Sequence, residues 1–197
     1  MRETMMAGLR FVAEYMTKLR IALSCPTHIY GVAAQESGVA RALTFAVMSM
    51  FLYGASLALL LGISSVQLQR VYFSIPIQGV TPELVTRIGP PALLLVLMPL
   101  YGLVVPFVGA GLLHVSSRLV GGRGDLLASY RILAYATAPT VLAWIPVLGL
   151  AAGIYQAAML ITGVVELHRL PVGRAVLAWL FPSAITGLAL GLLLNRL

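Results

Sequence analysis

Arg131, Glu166, His168, Asp125 and Tyr135 are the residues best placed for chemistry, because they lie in or beside a run of about 34 uncharged positions from Ile132 to Val165. A charge inside a bilayer costs several kcal/mol on most estimates, so such groups pair with one another, line an aqueous path or meet lipid phosphate. Conduction of a proton or ion would need several of them at mid-depth. Arg131, Glu166, His168 and Asp125, with His114, gather instead toward one end of the apolar stretches, which favours a pair that fixes helix register. The expected pair is Arg131 with Glu166. Signatures of other chemistry are missing: the sequence has no His-Glu-x-x-His, no Gly-x-Ser-x-Gly and no paired aspartates within apolar stretches. Glu166 and His168 are two residues apart and fall on different helical faces, a poor metal spacing. Gly121-Gly122-Arg123-Gly124 lacks the Lys-Ser/Thr of a phosphate loop and reads as a tight interfacial turn. No catalytic, cofactor-binding or metal-ligating residue is therefore expected.

The element that must position these groups is a hairpin. As one helix the uncharged run would extend about 51 Å, against a hydrocarbon core of ~30 Å. Pro146 and Gly149 can end one helix and start another. This predicts two arms, residues 125–145 and 149–167, turning at Pro146. Arg131 and Glu166 then differ in depth by ~6 Å, within reach of an arginine that snorkels. Loss of either charge should destabilise the hairpin, and loss of both should recover much of the deficit.

A hydrophobic content of 60%, a charged content of 10% and a mean hydropathy of +0.97 exclude an ordinary soluble domain. The 197 residues allow a five-span helical bundle and leave no room for a separate soluble catalytic domain. The fold class expected is an all-α membrane protein with an N-terminal amphipathic interfacial helix. The net charge of +7 is carried by residues flanking apolar stretches, without an aromatic-interleaved patch. Anionic headgroups of the lipid bilayer are the expected partner, and nucleic acid is not. The single cysteine, Cys25, excludes an internal disulfide.

Residues 1–40 read as the amphipathic helix and its connector, and residues 41–197 as the membrane domain. Met5, Leu9, Val12, Met16, Leu19 and Leu23 recur at three- and four-residue spacing. Glu3 and the lack of an uninterrupted apolar core argue against a signal peptide. The stripe should lie along the headgroup boundary or pack under the bundle, with dimerisation a weaker alternative. Spans are expected at about 42–63, 91–115, 125–145, 149–167 and 175–194. Pro99 and Pro106 should kink the second rather than break it. The loop from Ser64 to Pro90 contains Thr81-Pro82-Glu83, a helix start, and the interfacial aromatics Tyr72 and Phe73.

Arg2, Arg10, Lys18, Arg20, Arg41, Arg118, Arg123, Arg131, Arg169 and Arg174 fall on one side of these spans, and Arg70, Arg87 and Arg196 on the other. By the positive-inside rule the N-terminus is cytoplasmic and the C-terminus outward, whether 125–167 crosses twice or re-enters. Gly149 with Gly153, and Gly187 with Gly191, form small-residue ridges. Packing within the bundle is the first expectation for them and a homo-oligomer the second.

Gly121-Gly122-x-Gly124, Tyr135-Ala136, Pro139, Ile145-Pro146, Gly149, Tyr155, Gly163 and Glu166-x-His168 together resemble the Ypt-interacting-protein (Yip) domain family, over about Arg41 to the C-terminus. The resemblance implies five spans, a cytoplasmic N-terminus and an external C-terminus. Eukaryotic members associate with prenylated Rab-type GTPases and act in vesicle traffic. This chain lacks their long hydrophilic N-terminal region, and Ile29-Tyr30-Gly31 is only a fragment of their Asp-Leu-Tyr-Gly-Pro signature, which leaves small-GTPase binding doubtful. It looks like a prokaryotic member, placed in the cytoplasmic membrane. The function expected is a non-enzymatic protein that binds or organises other membrane proteins or lipids. The alternative is a small transporter, channel or lipid-moving protein with a polar pathway near Arg131 and Glu166.

Overall fold

Apolar runs broken by proline set the order of the helices. The computed structural model describes residues 2–63 and 93–194. The expectations for Thr81-Pro82-Glu83, Tyr72, Phe73, the loop arginines Arg70 and Arg87, Arg196 and the start of the second span at Pro91 lie outside the described residues. Helix α1 (Arg2–Ser24) stops before Pro26, which opens α2 (Pro26–Ala34) from its first turn behind the N-cap Cys25. Then follow α3 (Ala40–Ile63), α4 (Leu94–Leu119), α5 (Leu126–Tyr135), a 3-10 turn (Ala138–Leu142), α6 (Pro146–His168) and α7 (Val172–Leu194).

Three of these helices are long and apolar enough to cross a membrane: Ala40–Gly62, Leu94–Leu119 and Val147–His168. A shorter apolar stretch, Val172–Ile185, belongs to α7. Pro99 and Pro106 lie inside α4 without breaking it, as expected. Pro146 is the first residue of α6, so this helix starts three residues before the expected 149.

The first hairpin arm departs from expectation, because residues 125–145 are not one helix. Asp125 caps α5 by accepting a hydrogen bond from the Ala128 N–H at 2.7 Å. The helix ends at Tyr135. An α-helical residue 139 would donate its N–H to the carbonyl of residue 135, and Pro139 has no N–H to give. The chain tightens instead into the 3-10 turn, where the Thr137 and Thr140 hydroxyls donate to the carbonyls of Ala134 and Thr137 at 2.7 and 2.6 Å. Both ends of this segment are tied to α6: the Arg123 N–H donates to the His168 carbonyl at 3.0 Å, and Ile145 runs directly into Pro146. The broken segment therefore covers the whole length of α6, about 34 Å at 1.5 Å per residue.

One core joins α1 and α2 to the membrane helices, with Tyr15, Leu19, Ile29 and Tyr30 packed among Phe45, Ile132, Tyr135 and Met159. Tyr15 to Ala33 thus share their core with the rest. The N-terminal stripe is split. Helix α1 buries Tyr15, Leu19 and Ala22 and leaves Leu9, Val12 and Met16 exposed.

Close helix approaches occur at glycines outside the expected ridges. A Cβ at Gly54 would lie 2.7 Å from the Leu94 carbonyl, and one at Gly102 2.9 Å from the Ala46 carbonyl, so α3 and α4 approach backbone to backbone there. Gly153 and Gly187 meet nothing within 4 Å of such a Cβ. Those positions of the Gly149/Gly153 and Gly187/Gly191 ridges do not carry close packing inside the bundle.

Candidate functional site

A carboxylate enclosed by protein needs a cation and donors around it, and Glu36 has both. It lies in the connector between α2 and α3, where its N–H donates to the Ala33 carbonyl at 3.2 Å, and it is 7% exposed. The Lys18 ammonium from α1 donates to its Oε1 at 2.8 Å. The Tyr135 hydroxyl, on the last residue of α5, lies 2.7 Å from both carboxylate oxygens and donates its one proton to the pair. Lys18 also pairs with Glu14 one turn away at 3.2 Å, and its nitrogen sits 5.8 Å from the centre of the Tyr135 ring.

Arg131, one turn before Tyr135 on α5, reaches the same connector. Its Nη2 donates to the backbone carbonyls of Glu36 and Gly38, the latter at 3.3 Å. Gly38 accepts this turn at φ 73°, a left-handed conformation that glycine adopts without a side-chain clash. Beneath the charges lies an aromatic row, Tyr15–Phe45–Tyr135, with centroid separations of 5.3 and 4.9 Å. The Tyr15 hydroxyl meets the Ser49 hydroxyl at 3.1 Å, and burial raises the Tyr15 phenol above its ordinary pKa. The four charges of Glu14, Lys18, Glu36 and Arg131 sum to zero. The cluster is thus a neutral lock joining α1, the connector, α3 and α5.

The expected Arg131–Glu166 pair is not formed. Glu166 is exposed on the last turn of α6, and the Arg131 Nη2 donates instead to two carbonyls some 95 residues away in sequence. Among the described residues the ion pairs are those of Lys18 with Glu14 and Glu36. Of the five expected site residues, Arg131 and Tyr135 come together here, while Asp125, Glu166 and His168 belong to the other end of α5. Lys18 and Glu36 were not singled out from sequence. The available signal was a lone carboxylate between an amphipathic helix and an apolar span.

At that other end, the His168 ring is fully buried with its Nε2 2.8 Å from the Ser129 hydroxyl, and the His114 ring centroid is 6.1 Å away. The Gly121–Gly124 loop wraps this histidine. A Cβ at Gly124 would lie 2.7 Å from the Leu167 carbonyl and 2.8 Å from His168 Nδ1, and one at Gly122 2.8 Å from the Ser117 carbonyl. The glycines are there because backbone must approach an imidazole and a helix end. Among the described residues no group of three or more His, Cys, Asp or Glu is placed to hold a metal ion.

A cavity of about 290 Å³ lies among α3, α4, α5, α6 and α7. Thr137 and Gln156 face it with apolar neighbours such as Leu113, Leu160 and Trp179, and no charged side chain lines it. Arg131 and Glu166 are not part of it.

A family model described as the Yip1 domain matches residues 23–194. The chain belongs to the Yip1-domain family. Neither a curated protein nor a solved structure matches it. The Yip1 match begins at Leu23, in the last turn of α1, so Glu36, Arg131 and Tyr135 lie within it and Lys18 lies ahead of it. Other residues of the resemblance now have physical roles. The Tyr155 hydroxyl donates to the carbonyls of Ala22 and Leu23 at 3.0 and 3.1 Å, tying down the end of α1. A Cβ at Gly163 would lie 2.8 Å from both the Tyr30 ring and Ile132, so glycine lets α2 and α5 close on α6.

Proposed function

We propose that this Yip1-domain protein is a non-enzymatic integral membrane protein that binds and organises other membrane proteins and lipids at the cytoplasmic face. The observation that carries this reading is the half-covered stripe of α1. Tyr15, Lys18, Leu19 and Ala22 hold the helix to the bundle, while Leu9, Val12 and Met16, earlier on it, remain exposed. A helix anchored through its later turns with its apolar stripe uncovered on the earlier ones is a docking surface at the headgroup boundary.

The topology that fits has five crossings in the cytoplasmic membrane, with the N-terminus inside and the C-terminus outside. Residues 125–145 support the count because they run the length of α6. Irregular backbone at membrane depth is tolerated where protein covers it, and Ala136 to Thr140 are buried. Exposed Arg118, Arg123, Arg169 and Arg174 cluster around the α4–α5 and α6–α7 junctions and support a cytoplasmic assignment for that end. Small-GTPase recruitment is not part of the reading, since Ile29 and Tyr30 of the partial signature are fully buried in the core.

The test is mild extraction from native membranes with identification of co-purifying proteins, for the unaltered chain and for Leu9→Glu with Met16→Glu. Both positions are exposed, so the bundle should persist. A partner set lost in the variant supports the reading. Purified protein in liposomes is expected to move no ion, small solute or labelled lipid, and flux above empty liposomes would overturn it in favour of transport.

A further inference from the structure

A second cavity, about 210 Å³, lies between α1 and the first turns of α3. Phe11, Tyr15 and Phe45 form its apolar walls, and Glu14, Lys18 and Arg41 supply its charges. Arg41 is the second residue of the first apolar span, Ala40–Gly62, and an arginine at the end of such a span can meet lipid phosphate. The volume is below the roughly 300–1,000 Å³ of pockets that enclose drug-sized ligands, so it suits a headgroup and the upper part of its chains.

The charges specify the occupant further. Lys18 is already neutralised by the buried Glu36. This leaves Arg41, exposed and outside both ion pairs among the described residues, as the cation that can take a phosphate. Glu14 shares Lys18 with Glu36 through its Oε1 at 3.2 Å and keeps a side chain 58% exposed, so its carboxylate can also meet an ammonium group. We infer that this cavity binds one glycerophospholipid with an ammonium-bearing headgroup, its phosphate on Arg41, its amine on Glu14 and its glycerol and first methylenes against Phe11, Tyr15 and Phe45. The inference rests on the lipid-organising part of the function proposed above and gives it a site and a headgroup. The lipid then occupies the inner side of α1, while the outward stripe of Leu9, Val12 and Met16 stays free for a protein.

The experiment is native mass spectrometry of the detergent-solubilised full chain titrated with dihexanoyl phosphatidylethanolamine, dihexanoyl phosphatidylglycerol or dihexanoyl glycerol. The ethanolamine lipid should bind most tightly. Arg41→Gln should weaken both phospholipids about tenfold, as for loss of a charge-assisted hydrogen bond, and leave the uncharged glyceride unchanged. Glu14→Gln should remove the preference for ethanolamine over glycerol headgroups, a change of about two- to fivefold for an exposed pair. Thr44→Trp, at an exposed lining position, should fill the cavity and weaken all three lipids. Melting temperatures without lipid report whether each variant is folded. Equal phospholipid binding by the unaltered chain, Arg41→Gln and Thr44→Trp would overturn the site, and a preference for the glycerol headgroup would overturn its assignment. Either result leaves the outward face of α1, read by co-purifying proteins, independently testable.

Discussion

The ammonium of Lys18 and the carboxylate of Glu36 lie 2.8 Å apart with side-chain exposures of 12% and 3%, and they join the N-terminal helix to the connector that leads into the first apolar span. A buried pair of this kind contributes little net stability over an apolar substitute, but removing one partner strands the other. Lys18→Met or Glu36→Leu alone should each cost about 3 kcal/mol. The double variant combined with Tyr135→Phe, which removes the hydroxyl left without its acceptor, should recover much of that. Thermal unfolding in detergent measures all of them, and additive losses would count against the lock.

Arg131 and Glu166 should behave independently. Arg131→Leu strips donors from the carbonyls of Glu36 and Gly38 and should destabilise by about 1–3 kcal/mol, the cost of leaving buried acceptors unpaired. Glu166→Leu, on an exposed turn, should change stability by no more than about 0.5 kcal/mol. Their double variant should match Arg131→Leu within error. Recovery in the double variant would instead restore the pairing that the sequence suggested.

Two glycines should respond in opposite ways to alanine. Gly124→Ala forces a Cβ into the Leu167 carbonyl and the His168 ring and should cost about 1–3 kcal/mol. Gly153→Ala, in an α-helix with open space around it, should be neutral or stabilise by up to about 1 kcal/mol. Melting temperatures of the two proteins, compared in one detergent, decide the matter.

Cys25 offers a direct reading of orientation, since it is the chain's one cysteine and is exposed between α1 and α2. Hydrogen bonds from the Thr27 hydroxyl and the His28 N–H hold its thiol below the usual thiol pKa. The thiolate fraction grows as pH rises through that lowered value, so labelling near neutrality should outpace that of an unperturbed thiol and then level off at lower pH than usual. A membrane-impermeant maleimide should label it in inverted vesicles and leave it unlabelled in intact cells. Labelling in intact cells would reverse the proposed topology.

The three long apolar helices were legible in the sequence because each is a local property: run length, proline position and flanking charge. The start of α6 at Pro146 and the continuity of α4 through Pro99 and Pro106 follow from that local chemistry. The break in the first hairpin arm was legible too, in the missing N–H of Pro139, but hydropathy overrode it. Partner choice was not legible. Arg131 reaches carbonyls about 95 residues away, and only the folded path of the connector brings them there. The same holds for glycine, since Gly54 and Gly102 are set apart from Gly153 and Gly187 by what stands opposite them.

The measurement that tests the adaptor account most directly is photo-crosslinking in native membranes from a benzoylphenylalanine placed at Met16, with Arg10 as control. Both positions are exposed on α1, one on the apolar stripe and one about 120° around the helix from it. Discrete protein adducts at Met16, repeated at Leu9 and absent at Arg10, are the expected result. Identical adduct patterns at Met16 and Arg10, or adducts to lipid alone, would contradict the claim that α1 presents a docking face to other membrane proteins.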